Sequence, residues 1–142
     1  MSETDTIATV TGAATALAAA DVVVLGEAHA TPAVHRLHLE LIEALHERRG
    51  NLVVAMEMFE RDVQTVLLQY LAGMVDEATR RAQARPWPNY ARDYRPVVEF
   101  CKQHGILVLA ANAPKALVAR VAKDGIGSVA GEKHVARETT AP

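Results

Sequence analysis

The stretch Val22–His29, which reads VVVLGEAH, is the part of the sequence that decides the fold. Four consecutive apolar residues, three of them β-branched, predict a strand that is buried on both faces, as in a parallel sheet. Gly26 ends this run, and Glu27 and His29 follow within three residues. Because ionisable groups at the end of a buried strand are costly without partners or a task, the stretch also predicts a functional site.

Two more short apolar runs, Leu52–Met56 and Ile106–Ala110, are predicted to be strands. The predicted helices are Ala13–Ala20, Thr31–Arg49, Glu60–Leu71, a segment from Pro96 toward Gly105, and Lys115–Lys123. Strands and helices in the order βαβαβα are typical of an α/β fold, here three layers around a small, mainly parallel sheet. So small a sheet has exposed edges, and we therefore expect self-association into a homo-oligomer.

Length and composition favour one domain, residues 1–127, followed by a polar tail, 128–142, that is predicted to be disordered. The net charge is −2 and no dense basic block occurs, which argues against a nucleic-acid partner. Cys101 is the only cysteine, so an intramolecular disulfide is excluded. The sequence contains no membrane-spanning apolar run and begins with acidic residues rather than a signal peptide, so the chain as written is expected in the cytoplasm.

Polar side chains are predicted to meet at one edge of the sheet, because parallel strands end on the same side. Glu27 and His29 follow the first strand, Glu57 follows the second and Asn112 the third. The helices that begin at this edge add His35, with His38 one turn further along, and Arg61 with Gln64. Each residue alone has an ordinary explanation, such as a turn cap or a solvated loop. Two acids at neighbouring strand ends beside two imidazoles are nevertheless typical of a site.

Three chemistries could use this group. His29, His35 and Glu57 are suitable ligands for a divalent metal such as zinc or manganese. Without a metal, an imidazole oriented by a carboxylate could act as a general base on water. A planar cofactor is the third option, with Arg61 receiving its carboxylates and a histidine or tyrosine ligating iron. The concentrated aromatic residues, Trp87, Tyr90 and Tyr94, could then form a wall, although simple core packing explains them as well.

Five motifs occur in order along the chain: LGEAH at 25–29 followed by His35, EMF at 57–59 followed by Arg61 and Gln64, Trp87-x-x-Tyr90, DYRP at 93–96, and ANAP at 111–114. As an ordered set they resemble the ChaN-like haem-binding uptake family of the Tiki superfamily. The resemblance extends over residues 10 to 127. It implies an α/β protein that binds haem and is linked with iron uptake. Members of this family are often periplasmic or membrane-anchored lipoproteins.

The resemblance also implies that the chain corresponds to the N-terminal half of the family domain, and so to a truncated form. A haem-binding protein is expected rather than an enzyme. The expected cofactor-binding residues are Glu27, His29, His35, Glu57, Arg61, Gln64, Tyr90, Tyr94 and Asn112.

Two other functions stay open. Related branches of the superfamily are hydrolases with a similar Gly-Glu-x-His start, which implies Glu27, His29 and Glu57 as catalytic residues. The remaining alternative is a remnant that keeps its fold and has lost its activity.

Overall fold

A computed structural model describes residues 9–135 of the chain. The two strands within this range are β1 (Val53–Glu60) and β2 (Leu107–Asn112). The helices are α1 (Val10–Leu17), α2 (Pro32–Arg49), α3 (Gln64–Leu71), α4 (Glu77–Ala84), α5 (Tyr90–Asp93), α6 (Arg95–Gln103) and α7 (Lys115–Asp124). Short 3-10 helices lie at Arg61–Val63 and Ile126–Val129. The predicted α/β class with a parallel sheet is confirmed.

The described chain forms two compact units. The first consists of the chain up to Leu52 together with Pro88–Ile106, and the second of Val53–Trp87 together with the chain from Leu107 onward. The first unit therefore holds α1, α2, α5 and α6, and the second holds both strands with α3, α4 and α7.

In the first unit, the long helix α2 is the element against which the others pack. Its start and end match the prediction: Pro32 is its first residue, and Gly50 ends it in a left-handed conformation with φ of 69°. Leu41 and Leu45 of α2 bury Ala14 of α1 in a small apolar core, and Leu25 and Leu52 pack at its margin. The helices α5 and α6 also contact α2.

In the second unit, β1 and β2 pair in parallel from Val53 opposite Leu107 to Met56 opposite Ala110. The register becomes irregular beyond Met56 and resumes where Glu60 pairs with Asn112. Helix α3 packs against β2 and buries Val66, Leu67 and Tyr70.

Gln64, the first residue of α3, completes the hydrogen bonding of β2. Its Nε2 donates to the carbonyl of Val108 at 3.0 Å, and its Oε1 accepts from the amide of Ala110 at 2.7 Å. A side-chain amide thus takes the place of a neighbouring strand, which keeps two backbone groups of β2 satisfied.

The structure contains two strands where the sequence predicted three. Residues 22–28 take part in no strand pairing within the described chain, and the side chains of Val22 and Val24 are 77% and 87% exposed. An apolar run forms a strand only when its backbone hydrogen-bonds to a neighbouring strand. The apolar pattern indicates the tendency to form a strand, but it does not specify the strand with which the run would pair.

Other boundaries also differ from the prediction: α1 begins and ends three residues earlier than predicted, and α3 begins at Gln64 and not at Glu60. β1 continues through Glu57 to Glu60, so Glu57 is an exposed residue inside the strand and not at its end. At the C-terminal side, Ser128 and Val129 belong to a 3-10 helix in which Val129 is buried, where composition predicted disorder. Arg120 and Glu132 also form an ion pair there. Residues 136–142 of the predicted tail lie outside the described residues. Among those described, no helix combines the length and apolarity needed to cross a membrane.

We expect Gln64→Ala to lower the free energy of unfolding by about 1–3 kcal/mol, since it leaves an amide and a carbonyl of β2 without partners. Urea unfolding would measure the loss, and amide exchange at Ala110 should accelerate. Gln83→Ala is the matched control, because Gln83 is exposed on α4 in the same unit. Equal stability of the two variants would contradict the assigned role of Gln64.

Candidate functional site

The carboxylate of Glu27 is the centre of a polar cluster in the first unit. Its Oε1 accepts a hydrogen bond from the hydroxyl of Tyr94 at 2.6 Å and one from Nδ1 of His29, also at 2.6 Å. Its Oε2 lies 3.4 Å from Nδ1 of His35. The Glu27 side chain is only 18% exposed, so these contacts replace most of its water. Three separate segments of the chain therefore meet at one carboxylate.

The start of α2 places the histidines of this cluster. Residues 28–31 form a turn in which the amide of Thr31 donates to the carbonyl of Ala28, and Ala30 adopts a positive φ of 66°. His35 then lies in the first turns of α2 and is 4% exposed. One turn later, Nε2 of His38 donates to the carbonyl of Gly26 at 3.1 Å. That bond holds the segment carrying Glu27 against α2.

The junction of α5 and α6 supplies the remaining members. The ring of Tyr94 meets that of His35 edge-on, with centroids 4.7 Å apart. Next to it, the buried carboxylate of Asp93 accepts hydrogen bonds from Arg92 at 2.7 and 2.8 Å and from Asn89 at 2.8 Å. Its Oδ2 lies 3.8 Å from Nε2 of His35. His35 is therefore placed between two carboxylates, one on each ring nitrogen.

These contacts set the protonation states at neutral pH. The guanidinium of Arg92 and the amide of Asn89 lower the pKa of Asp93 to about 2. Burial opposes the ionisation of Glu27, but the hydrogen bonds from Tyr94 and His29 outweigh it, so the pKa of Glu27 is lowered. Burial and the bond to Glu27 both raise the pKa of Tyr94. The cluster thus contains two ionised carboxylates and a protonated phenol.

The donor set of this cluster suits a metal or haem iron through imidazole nitrogens. His29 is 61% exposed and donates its Nδ1 proton to Glu27, so the neutral ring carries its lone pair on Nε2. A carboxylate on the other ring nitrogen is the usual partner of a metal-ligating histidine. Tyr94 donates its hydroxyl proton to Glu27, and ligation of iron by Tyr94 would require the loss of that proton.

A second group of donors shares Glu27. One candidate ligand atom from each of Glu27, His35 and His38 lies within 4.8 Å of the others. The metal ligands predicted from the sequence were His29, His35 and Glu57, of which only His35 belongs to this group. His38 follows His35 by three positions on one helix, and that spacing was the sequence signal for it.

The structure brings together some of the predicted site residues. Glu27, His29, His35 and Tyr94 are in direct contact around one carboxylate, and Tyr90 is buried in the adjoining helix α5. Asp93 was part of a quoted motif but was not predicted as a site residue. The sequence feature that could have identified Asp93 as a site residue is its position next to Tyr94.

The other predicted site residues belong to the second unit, and their part in cofactor binding stays a prediction. The nitrogen and the oxygen of the Gln64 side-chain amide both bond to β2. Asn112 pairs with Glu60 in the sheet. Arg61 is exposed in the 3-10 helix after β1.

A polar network at the end of β1 was not predicted. Arg85 bonds to Asp62 at 2.8 and 2.9 Å and to Glu60 at 3.3 Å, and Glu60 also accepts from the amide of Lys115 at 3.2 Å. These bonds connect segments that are distant in sequence, so no local pattern indicates them.

Comparisons with known proteins found a family model and a curated relative that match this chain. A protein-family model described as "Haem-binding uptake, Tiki superfamily, ChaN" matches residues 13–142. The chain is also 29% identical over 114 residues to Protein RETICULATA-RELATED 5, chloroplastic, of Arabidopsis thaliana. That match covers 75% of this chain and 16% of the plant protein, so the chain spans less than a fifth of the relative's length. No solved structure matches the chain.

We expect Tyr94→Phe to destabilise the protein by about 1.5–3 kcal/mol at neutral pH, because it removes a hydrogen bond to a charged group. Ionised Glu27 contributes stability above its ordinary pKa of 4.5, and that contribution is lost as the pH falls through the lowered folded value. The difference between wild type and Tyr94→Phe should therefore shrink over the same acidic range.

Urea unfolding at several pH values measures this difference, and carboxyl NMR should show the pKa of Glu27 rising in the variant. In a Glu27→Gln background, Tyr94→Phe should have a smaller effect that does not depend on pH. A pH-dependent loss that persists without the Glu27 carboxylate would contradict the pairing.

Proposed function

Because the chain belongs to the haem-binding uptake family of the Tiki superfamily, ChaN, we propose that it binds haem with the imidazole of His29 as axial ligand. Haem iron is commonly held by histidine, and the family description names haem as the bound group. The site belongs to the first unit and centres on the Glu27 cluster. The proposed function is haem binding linked with uptake or handling, not catalysis.

One observation carries this proposal: the exposed imidazole of His29 is oriented by the largely buried carboxylate of Glu27. The 2.6 Å bond between His29 Nδ1 and Glu27 Oε1 selects the tautomer that carries its lone pair on Nε2, the nitrogen that would ligate iron. It also makes that nitrogen more basic, as second-shell carboxylates do in metal proteins. With 61% of the side chain exposed, a ligand as broad as a porphyrin can approach the ring from solvent.

Tyr94 is the weaker candidate for the axial position. Tyrosine ligates iron as a phenolate, and forming one here would place a second negative charge 2.6 Å from the Glu27 carboxylate. Tyr94 is also buried, so iron would have to displace the bond that holds Glu27 in place. In this proposal Tyr94 therefore positions Glu27 and does not touch the iron.

Exposed apolar side chains in the same segment support a planar apolar ligand. Val22 and Val24 precede Glu27 and present nearly all of their surface to solvent. Porphyrin faces are apolar, and covering a valine side chain contributes at most about 1.5–3 kcal/mol. The valines that form no strand thus offer surface for a ligand of this kind.

A hydrolase is the second candidate, and the same Glu27–His29 pair supports it. An imidazole whose Nδ1 proton is held by a carboxylate can remove a proton from water through Nε2. Hydrolysis of an activated ester that is lost in His29→Ala, without any haem requirement, would favour this function over haem binding.

Titration of the purified full chain with hemin tests the haem proposal. We expect a saturable Soret shift for the wild type, and a weakening of affinity by at least about 10–100-fold in His29→Ala, since loss of second-shell partners alone costs that much. His104→Ala is the matched control, because His104 is an exposed histidine of the same unit whose Nδ1 bonds within its own helix.

Glu27→Gln should weaken hemin binding by about 10–100-fold, whereas Glu40→Gln, at an exposed position of α2, should leave it unchanged. A Soret shift that survives in His29→Ala and disappears in Tyr94→Phe would overturn the assignment of the ligand. The absence of any saturable shift in the wild type would overturn haem binding itself.

A further inference from the structure

We propose that Glu27, His35 and His38 form a binding site for a divalent transition-metal ion of the zinc class, separate from the His29 imidazole. The proposal goes beyond haem binding, because it needs neither haem nor His29 and uses other ligand atoms.

The distances between the donors are close to those of a zinc site. Zinc–ligand bonds of about 2.0–2.2 Å place tetrahedral donors roughly 3.4 Å apart. Oε2 of Glu27 and Nδ1 of His35 are already 3.4 Å apart. The whole three-residue group lies within 4.8 Å, so small side-chain rotations suffice to close it around an ion. The remaining coordination position is left for water, as in other three-ligand sites.

The surroundings of the buried His35 ring also support a cation at this place. Nε2 of His35 is buried without a hydrogen-bond partner in the described residues and lies 3.8 Å from the ionised carboxylate of Asp93. In the tautomer with its proton on Nε2, the His35 ring directs that proton toward Asp93. The same tautomer directs the Nδ1 lone pair toward Oε2 of Glu27 at 3.4 Å, so an ion between the two atoms would be bound by both.

His38 is oriented in a matching way. Its Nε2 donates to the carbonyl of Gly26 at 3.1 Å, so the neutral ring carries its lone pair on Nδ1. The rings of His35 and His38 are 6.2 Å apart and nearly perpendicular. The His38 ring is thus held by a backbone oxygen, and the His35 ring has an Asp93 oxygen 3.8 Å from its Nε2. Oxygens in these positions resemble the second-shell arrangement found around ligating histidines.

The two oxygens of Glu27 separate the two proposed sites. Oε1 is occupied by Tyr94 and His29, and Oε2 faces His35. One carboxylate with two neutral imidazoles is a donor set that zinc accepts readily. Asp93, anchored by Arg92 and Asn89, acts as a positioning residue through His35 and does not touch the ion.

Zinc binding to the metal-free full chain, followed by calorimetry and by competition with a chromophoric chelator, tests the proposal. We expect one zinc ion per chain. His38→Ala should weaken the affinity by at least about 10–100-fold, and Asp93→Asn should weaken it within that range through its effect on His35. His104→Ala should bind zinc like the wild type. His38 is only half-buried, so its variant is expected to fold, and circular dichroism verifies this.

Two further measurements separate this site from haem binding and from a purely electrostatic role of His35. Cobalt substitution should produce tetrahedral d–d absorption that His38→Ala abolishes and His29→Ala preserves. Nitrogen NMR should show Nδ1 of His35 unprotonated and shifted by zinc. The proposal would be overturned if His35 carried protons on both ring nitrogens and kept them in the presence of zinc. It would also be overturned if His38→Ala left the zinc affinity unchanged.

Discussion

The ionised carboxylate of Glu27 is the interaction on which the first unit depends. With most of its surface removed from water, it is stable only because Tyr94 and His29 donate to it and His35 lies beside it. Tyr94 is 67 residues away in sequence, so this one contact joins the segment before α2 to the junction of α5 and α6. The carboxylate therefore acts as a structural link as well as a source of chemistry.

The two sides of the carboxylate create two different environments. The His29 side chain is largely exposed and is oriented through Nδ1 by the carboxylate, which is the arrangement that supports the haem-binding proposal. His35 is buried between Glu27 and Asp93, where any charge or lone pair must be balanced by neighbours. In the two proposals, the same acid therefore orients the exposed His29 and contributes directly to a buried cation site.

Much of the fold could be predicted because the relevant signals are local. Thr31 followed by Pro32 predicted the start of α2, and Gly50 predicted its end. The apolar runs before Glu60 and Asn112 predicted two parallel strands. The run at Val22 has the same composition but carries no ladder, because strand pairing depends on a partner that hydrophobicity does not specify. The prediction that Glu57 follows the end of a strand was wrong because β1 continues three residues beyond it.

The sequence by itself determined five of the seven α-helices of the described chain, the parallel pairing tendency and the close grouping of Glu27, His29 and His35, since capping, periodicity and short spacings act over a few residues. Only the tertiary structure decided the long-range partners. Tyr94 hydrogen-bonds to Glu27, and Gln64 hydrogen-bonds to the backbone of β2. His38, and not His29, forms the group of three candidate donors with His35 and Glu27. The physical reason is that a side chain's direction follows from how its helix packs, and packing is set by contacts far apart in the chain.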